Sequence, residues 1–192
     1  MVKILNNIIY VLFSKVFFRV THINKINEEK LDRCIICANH STFVDPLYLL
    51  PKINNLKIMA KAELFKYKWF ANILNKMGVF PIHRGSQDAK SLIHSINLFE
   101  HENKLLVFPE GTRNKTNKKI YKVGPVFIAS KANVPIIPVY ITQNPKLFSK
   151  VKIIYGEPIY ISHERSKDKK YLEEKSKELM ELIYSFKEEK NV

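Results

Sequence analysis

Cysteine, glycine and long apolar runs are all scarce in this chain, and each shortage removes a class of reading. Of 192 residues, two are cysteine and five are glycine. Cys34 and Cys37 lie in one apolar stretch, and no second cysteine pair exists to complete the roughly four ligands of a structural zinc site. Three positions apart on a strand, the two thiols point to opposite faces. They read as buried free thiols in a reducing, cytoplasm-facing setting. The longest unbroken apolar run, Ile8 to Phe13, falls well short of the roughly 20 residues that span a bilayer. A GxSxG elbow is missing, which removes the commonest serine-hydrolase arrangement. No repeat, low-complexity tract or linker divides the chain, so a single substantial core is expected.

Negative charge is short as well. There are 32 Lys and Arg against 18 Asp and Glu, a net charge of +14. The excess is uneven. Residues 1–162 hold 24 basic and 10 acidic side chains, while eight of each follow from His163 onward. A basic body implies an anionic partner: nucleic acid, anionic lipid headgroups or a phosphorylated substrate. Recognised nucleic-acid motifs are missing, so a nucleic-acid-binding module rests on charge alone.

Residues 2–21 are apolar but interrupted by Lys3, Asn6, Asn7, Lys15 and Arg19. At about 100° per residue, Leu5, Ile9, Leu12, Phe13, Val16 and Val20 share one sector, with Lys3, Asn7, Ser14 and Thr21 opposite. An amphipathic helix whose charges are all positive suits a membrane interface; a core helix would show the same pattern. A signal peptide would need a small-residue cleavage site, and His22-Ile23-Asn24-Lys25 follows instead. We therefore divide the chain into a membrane-interface helical segment, 1–30, and a main domain, 31–192.

Within the main domain, strands and helices alternate. Cys34–Ala38, Leu56–Ala60, Val79–His83, Leu105–Phe108, Ile136–Ile141 and Val151–Tyr155 read as strands. Helices are expected over 46–50, 64–77, 87–100 and 124–131, and a charged one over the last thirty residues. Phe65, Trp69 and Ile73 share one helical face. This alternation predicts a single α/β domain, a mostly parallel or mixed sheet surrounded by helices.

The stretch Asn39-His40-Ser41-Thr42-Phe43-Val44-Asp45-Pro46 carries the sharpest chemical signal. It puts an imidazole at a strand's end and a carboxylate five residues on. A carboxylate on one ring nitrogen fixes the tautomer and leaves the other nitrogen to take a proton. Imidazole titrates near ~6.5, so such a base is largely neutral around neutral pH. By itself the spacing also fits a helix cap beside a surface histidine.

Three further blocks accompany it: Gly78-Val79-Phe80-Pro81-Ile82-His83-Arg84-Gly85, Val107-Phe108-Pro109-Glu110-Gly111-Thr112-Arg113 and Val134-Pro135-Ile136-Ile137-Pro138-Val139. In this order the four blocks resemble the motifs of the glycerolipid acyltransferases related to bacterial 1-acyl-glycerol-3-phosphate acyltransferase. The resemblance runs from about Ile35 to Ile159, and the FPEGTR block is its most specific part. His83 stands where the family often carries Asp, and Pro125 where a small residue is common.

That resemblance implies transfer of a fatty acyl chain to the free hydroxyl of 1-acyl-glycerol-3-phosphate, giving phosphatidate. The hydroxyl attacks the thioester directly, without an acyl-enzyme. His40 becomes the general base and Asp45 its orienter. Arg113 becomes the phosphate clamp, because a guanidinium matches phosphate oxygens in pairs. Glu110 would orient Arg113 or the acceptor, Gly111 would permit the sharp turn, and Thr112 belongs to the same acceptor-binding block. Arg84 is a second phosphate candidate. Lys61 is a third, or a donor to the thioester oxygen. The implied partners are membrane lipids, lysophosphatidic acid, and acyl-CoA or acyl carrier protein as donor. No metal, cofactor or nucleic acid is expected, and the location implied is peripheral on the cytoplasmic face of the cell membrane. Glycerol-3-phosphate or another lysophospholipid could serve as acceptor, and a hydrolase could turn the same His–Asp pair on water.

Overall fold

The computed structural model describes residues 16–82, 89–114 and 120–187, together with Ile8 and Val11. Its frame is a seven-stranded sheet in the order β1-β7-β6-β2-β5-β3-β4. The strands are β1 (Arg19–Ile23), β2 (Cys34–Ala38), β3 (Leu56–Lys61), β4 (Val79–Ile82), β5 (Lys104–Val107), β6 (Ile136–Ile141) and β7 (Lys150–Tyr155). From β6 across to β4 all neighbours are parallel. β7 runs antiparallel to β6, and β1 is parallel to β7.

β2 is the central member and shows why the sequence reads as it does. All five of its residues are buried, with no polar alternation. Helices cover both faces of a parallel sheet, so a strand there has no wet side. Cys34, Ile36 and Ala38 join the core on one face; Ile35 and Cys37 join the core on the other. The thiols are therefore buried on opposite faces as expected, and burial pushes Cys34 up to about 12.

The covering helices are α1 (Ile26–Glu29), α2 (Asp45–Leu49), α3 (Lys68–Lys76), α4 (Ala89–Asn97), α5 (Gly124–Ala132) and α6 (Lys169–Ser185). α6 starts at Asp168, whose side chain accepts from the Tyr171 N–H at 3.0 Å, a standard N-cap. Leu172, Leu179 and Ile183 on its inner side are buried.

Two expectations need correcting. The N-terminal amphipathic helix was expected to run through Thr21, but Arg19–Ile23 is a strand in parallel register with β7. Its β-branched Val20, Thr21 and Ile23 favour a pleated surface, and β7 supplies the backbone partners a helix would have found internally. Apart from Ile8 and Val11, residues 1–15 lie outside the described residues. The second correction concerns the helix expected over 64–77. A 3₁₀ turn over Ala62–Phe65 and an extended Tyr67 split it, and none of the nine residues of α3 is buried. Phe65 and Leu74 pack on the core, whereas Trp69 and Ile73 are exposed.

Candidate active site

The parallel strands share a direction, so the loops after their C-terminal ends gather at one edge of the sheet. Ligands bind at that edge in open α/β sheets. Asn39 leaves β2 there. Its side-chain amide accepts from Ile141 N at 2.7 Å and donates to Ile141 O at 2.8 Å. The ladder between β2 and β6 is thereby continued one step by a side chain, and the next residue, His40, is aimed from a fixed point.

Nδ1 of His40 lies 2.9 Å from Oδ2 of Asp45. The Asp45 carboxylate is fully buried at the start of α2. It also accepts the N–H groups of Ser41 at 2.7 Å and Thr42 at 2.8 Å, and the Thr42 hydroxyl. A carboxylate only accepts, so Nδ1 carries the ring proton and Nε2 holds the free lone pair. Among the described residues Nε2 has no hydrogen-bond partner. The imidazole stacks on Phe108, centroid to centroid 4.1 Å. Ser41 is turned away from this pair: its hydroxyl accepts from Asn144 N at 3.1 Å.

The loop after β5 is sewn to this turn. Asn114 N donates to the His40 carbonyl at 2.8 Å, and His40 N donates to Oε2 of Glu110 at 3.0 Å. Oε1 of Glu110 accepts from Asn114 Nδ2 at 3.2 Å and from the Tyr184 hydroxyl, which arrives from α6. Glu110 is 1 % exposed. Burial pushes its carboxyl above the ordinary range, against the hydrogen bonds from Tyr184, His40 N and Asn114 that pull it down. Burial, then the bond to Glu110, raises the Tyr184 phenol. Gly111 has a φ of +67°, and a Cβ there would meet only the Lys122 side chain, at 3.4 Å. The glycine is thus required by backbone conformation rather than by space. The turn closes through Gly111 N to Phe108 O at 2.9 Å and Lys122 N to Pro109 O at 2.8 Å.

The structure therefore separates the expected site residues. His40, Asp45, Glu110 and Gly111 come together. Glu110 does not orient Arg113 or reach outward, since each of its oxygens is taken by a donor of the fold itself. Arg113 and Thr112 are exposed; the Arg113 guanidinium lies 3.5 Å above the Phe43 ring, within the His40 turn. Among the described residues no carboxylate pairs with it. Lys61 ends β3 and forms an ion pair with Glu63 at 2.9 Å. β3 is two strands from β2, about 10 Å. Arg84 and His83, and with them Lys115, Lys118 and Lys119, lie outside the described residues. Asn39, Phe108, Asn114 and Tyr184 were not anticipated. Asn114 is four residues past Glu110 and follows the recognised block directly, so its position was a usable signal. Tyr184 offered none.

At this edge, then, an imidazole held by a buried carboxylate stands in a turn against whose Phe43 the exposed Arg113 lies. The chain belongs to the Acyltransferase family, whose model matches residues 18–142. It is 33% identical over 144 residues to the 1-acyl-sn-glycerol-3-phosphate acyltransferase of Bacillus subtilis, an alignment covering 71% of this chain and 72% of that protein. To the Helicobacter pylori protein of the same name it is 29% identical over 142 residues, 69% of this chain and 59% of that one. The crystal structure of the 1-acyl-sn-glycerophosphate acyltransferase PlsC from Thermotoga maritima superimposes with a TM-score of 0.67. That match has 27% identity over 95% of this chain and 79% of that one.

Proposed function

We propose that this chain transfers a fatty acyl group from a thioester donor, acyl-CoA or acyl carrier protein, to the free hydroxyl of 1-acyl-sn-glycerol-3-phosphate. The observation that carries the reading is the His40 Nδ1–Asp45 contact of 2.9 Å, set beside the turn that holds Arg113. Relatives named for this reaction support it.

In this mechanism Nε2 of His40 takes the hydroxyl proton as the acceptor oxygen attacks the thioester carbonyl carbon. The tetrahedral intermediate then collapses and breaks the carbon–sulfur bond. The departing thiolate takes the proton back from His40 and leaves as the free thiol, so atoms and charge balance and the neutral imidazole is restored. Asp45 keeps the ring oriented and stabilises the transient imidazolium. Arg113, with Arg84 and Lys61 as further candidates, holds the acceptor phosphate. Glu110 acts as a positioning residue, fixing the His40 backbone rather than touching substrate. Thr112, exposed beside Arg113, remains a candidate for the acceptor glycerol.

Location follows the same reasoning. No helix among the described residues is long and apolar enough to cross a membrane. The exposed Ile8, Val11 and Val16 fit a segment lying in the interface of the cytoplasmic leaflet.

The test is a detergent assay with labelled acyl donors. Lysophosphatidate, glycerol-3-phosphate and lysophospholipids with larger headgroups are offered in parallel, and the products are identified. Lysophosphatidate is expected to be preferred. His40→Ala and His40→Gln are expected to lose roughly 10²–10⁴-fold in rate with unchanged circular dichroism, since Asp45 keeps its Ser41 and Thr42 donors. Retained activity in both variants would remove His40 as the base.

A further inference from the structure

The edge of the sheet that carries His40 bears a group of exposed apolar side chains. Large apolar side chains stand in water on the loops after two of its strands. After β3 come Leu64, Tyr67 and Trp69, the last 68% exposed; after β6 come Leu147 and Phe148, 58% and 59% exposed. Single exposed apolar residues are ordinary, but a group of them on one face marks a contact surface. Phe148 is held there against local preference. It has a φ of +64°, which a bulky side chain rarely adopts, and its N–H is anchored to Phe17 O at 2.7 Å. The β6–β7 loop is in turn tied to the active-site turn by Asn144 N to Ser41 Oγ.

The charges are sorted in the same direction. Lys66 and Lys146 on these loops, Lys68 at the start of α3 and Lys150 at the start of β7 are exposed. Of the acidic groups at this edge, Asp45 and Glu110 are buried and Glu63 pairs with Lys61. Asp32, Glu100 and Glu102 surround a shallow depression at the opposite edge, beside Arg33 and His101. Tryptophan and tyrosine flanked by lysines are the side chains that settle at the boundary between headgroups and acyl chains.

We propose that the catalytic edge is itself a bilayer-docking face. In this picture the β3–α3 loop with the first turn of α3, and the β6–β7 loop, press Tyr67, Trp69, Leu147 and Phe148 into an anionic membrane surface on either side of His40. In the sheet order β6-β2-β5-β3, these loops are three strand spacings apart, about 14 Å. A lysolipid headgroup between them would meet His40 while its acyl chain stays in the membrane. The inference rests on the lipid acceptor proposed above; the β6–β7 loop adjoins the N-terminal segment at Phe17, whereas Trp69 and Tyr67 lie on the far side of His40 from it.

The chain contains one tryptophan, Trp69, so the native full-length protein reports on this face without alteration. Its emission is measured with vesicles of phosphatidylcholine and phosphatidylglycerol, with and without bromine on the shallow part of the acyl chains. The expected result is a shift to shorter wavelength and quenching by the brominated lipid, both weakened by high salt. Leu147→Glu should reduce the partition coefficient on the order of tenfold. Protein that sediments with vesicles while Trp69 stays unshifted and unquenched would show the N-terminal segment acting alone, and would overturn the proposal. So would a shift produced by an acidic protein such as a carrier protein but not by lipid. Acyl transfer in detergent micelles is measured on the same preparation. Transfer without quenching ends the docking proposal and leaves the activity; quenching without transfer does the reverse.

Discussion

Removing one oxygen atom from α6 should weaken the turn around Glu110, which lies 74 residues away in the chain. The perturbation is Tyr184→Phe. The phenyl ring keeps its place near Tyr140, 6.5 Å away, but the donor to Glu110 disappears. Water cannot readily replace it, because Glu110 is 1 % exposed. A hydrogen bond to a charged group contributes about 1.5–3 kcal/mol, which lowers the melting temperature of a domain this size by roughly 3–12 °C. The loss should depend on pH. The folded-state pKa of Glu110 lies above its ordinary 4.5, so the folded protein keeps a proton that the unfolded chain has released. Stability therefore falls as pH rises from about 4.5 through the folded value, then levels. The Tyr184 bond is one of the influences lowering that value, so its removal carries the window upward. At acid pH the variant loses only a neutral hydrogen bond, about 0.5–1.5 kcal/mol. Denaturant unfolding at pH 4 and pH 7 should thus show the larger deficit at pH 7. Turnover should drop several-fold with little change in acceptor KM, since His40 is displaced and the phosphate contacts are not. An equal deficit at both pH values, or none, would refute the account of Glu110 as a buried anion holding the His40 backbone.

Asp45→Asn should retain the Ser41 and Thr42 contacts through its amide oxygen but lose their charge assistance. Turnover should fall roughly 10²–10⁴-fold with a far smaller change in KM, read by steady-state kinetics. Arg113→Ala should raise the KM of a phosphorylated acceptor about 10–100-fold and leave the unfolding midpoint nearly unchanged, because the side chain is exposed; Arg113→Lys should recover part of the loss. His22 donates or accepts at Tyr155 Oη, 3.0 Å away, while its Nε2 is buried without a partner. Burial, then Lys25 and Lys52, hold its pKa down at about 4. The unfolded chain binds this proton near ~6.5, so stability is complete above that pH and declines by about 3 kcal/mol toward pH 4. His22→Gln should flatten that part of the stability profile in unfolding titrations.

The sheet was legible wherever local pattern and burial agreed. Cys34–Ala38 could be read as a strand because an unbroken apolar run bounded by polar residues suits a sheet covered on both faces. Residues 19–23 could not, because Val16 and Val20 also satisfy a helical period. What decides the matter is the backbone pairing with β7, whose partner residues lie 131 positions on. α3 shows a different ambiguity. Trp69 and Ile73 at i and i+4 declare an amphipathic helix, but the same spacing serves a helix facing a protein core and one facing lipid. The pattern carries the period and omits the medium.

The site divides along the same line. His40 and Asp45 were recognisable because one loop holds both, so spacing along the chain is nearly distance in space. Glu110 was recognisable as a residue, but its role was not. A carboxylate three positions before an arginine suggests a pair, yet the turn at Gly111 sends Glu110 inward to Asn114, Tyr184 and the His40 N–H, while Arg113 goes outward onto Phe43. In the proposed mechanism the two side chains of one motif therefore serve opposite ends. Glu110 is buried with both oxygens bonded, and it fixes the His40 backbone. Arg113, exposed and without a described carboxylate partner, contributes little to that placement and remains available to an incoming phosphate. A double-mutant cycle on Glu110 and Arg113 should show a measurable interaction energy, because Glu110 bonds both the His40 N–H and Asn114, the neighbour of Arg113, and Arg113 lies on Phe43 of the same turn.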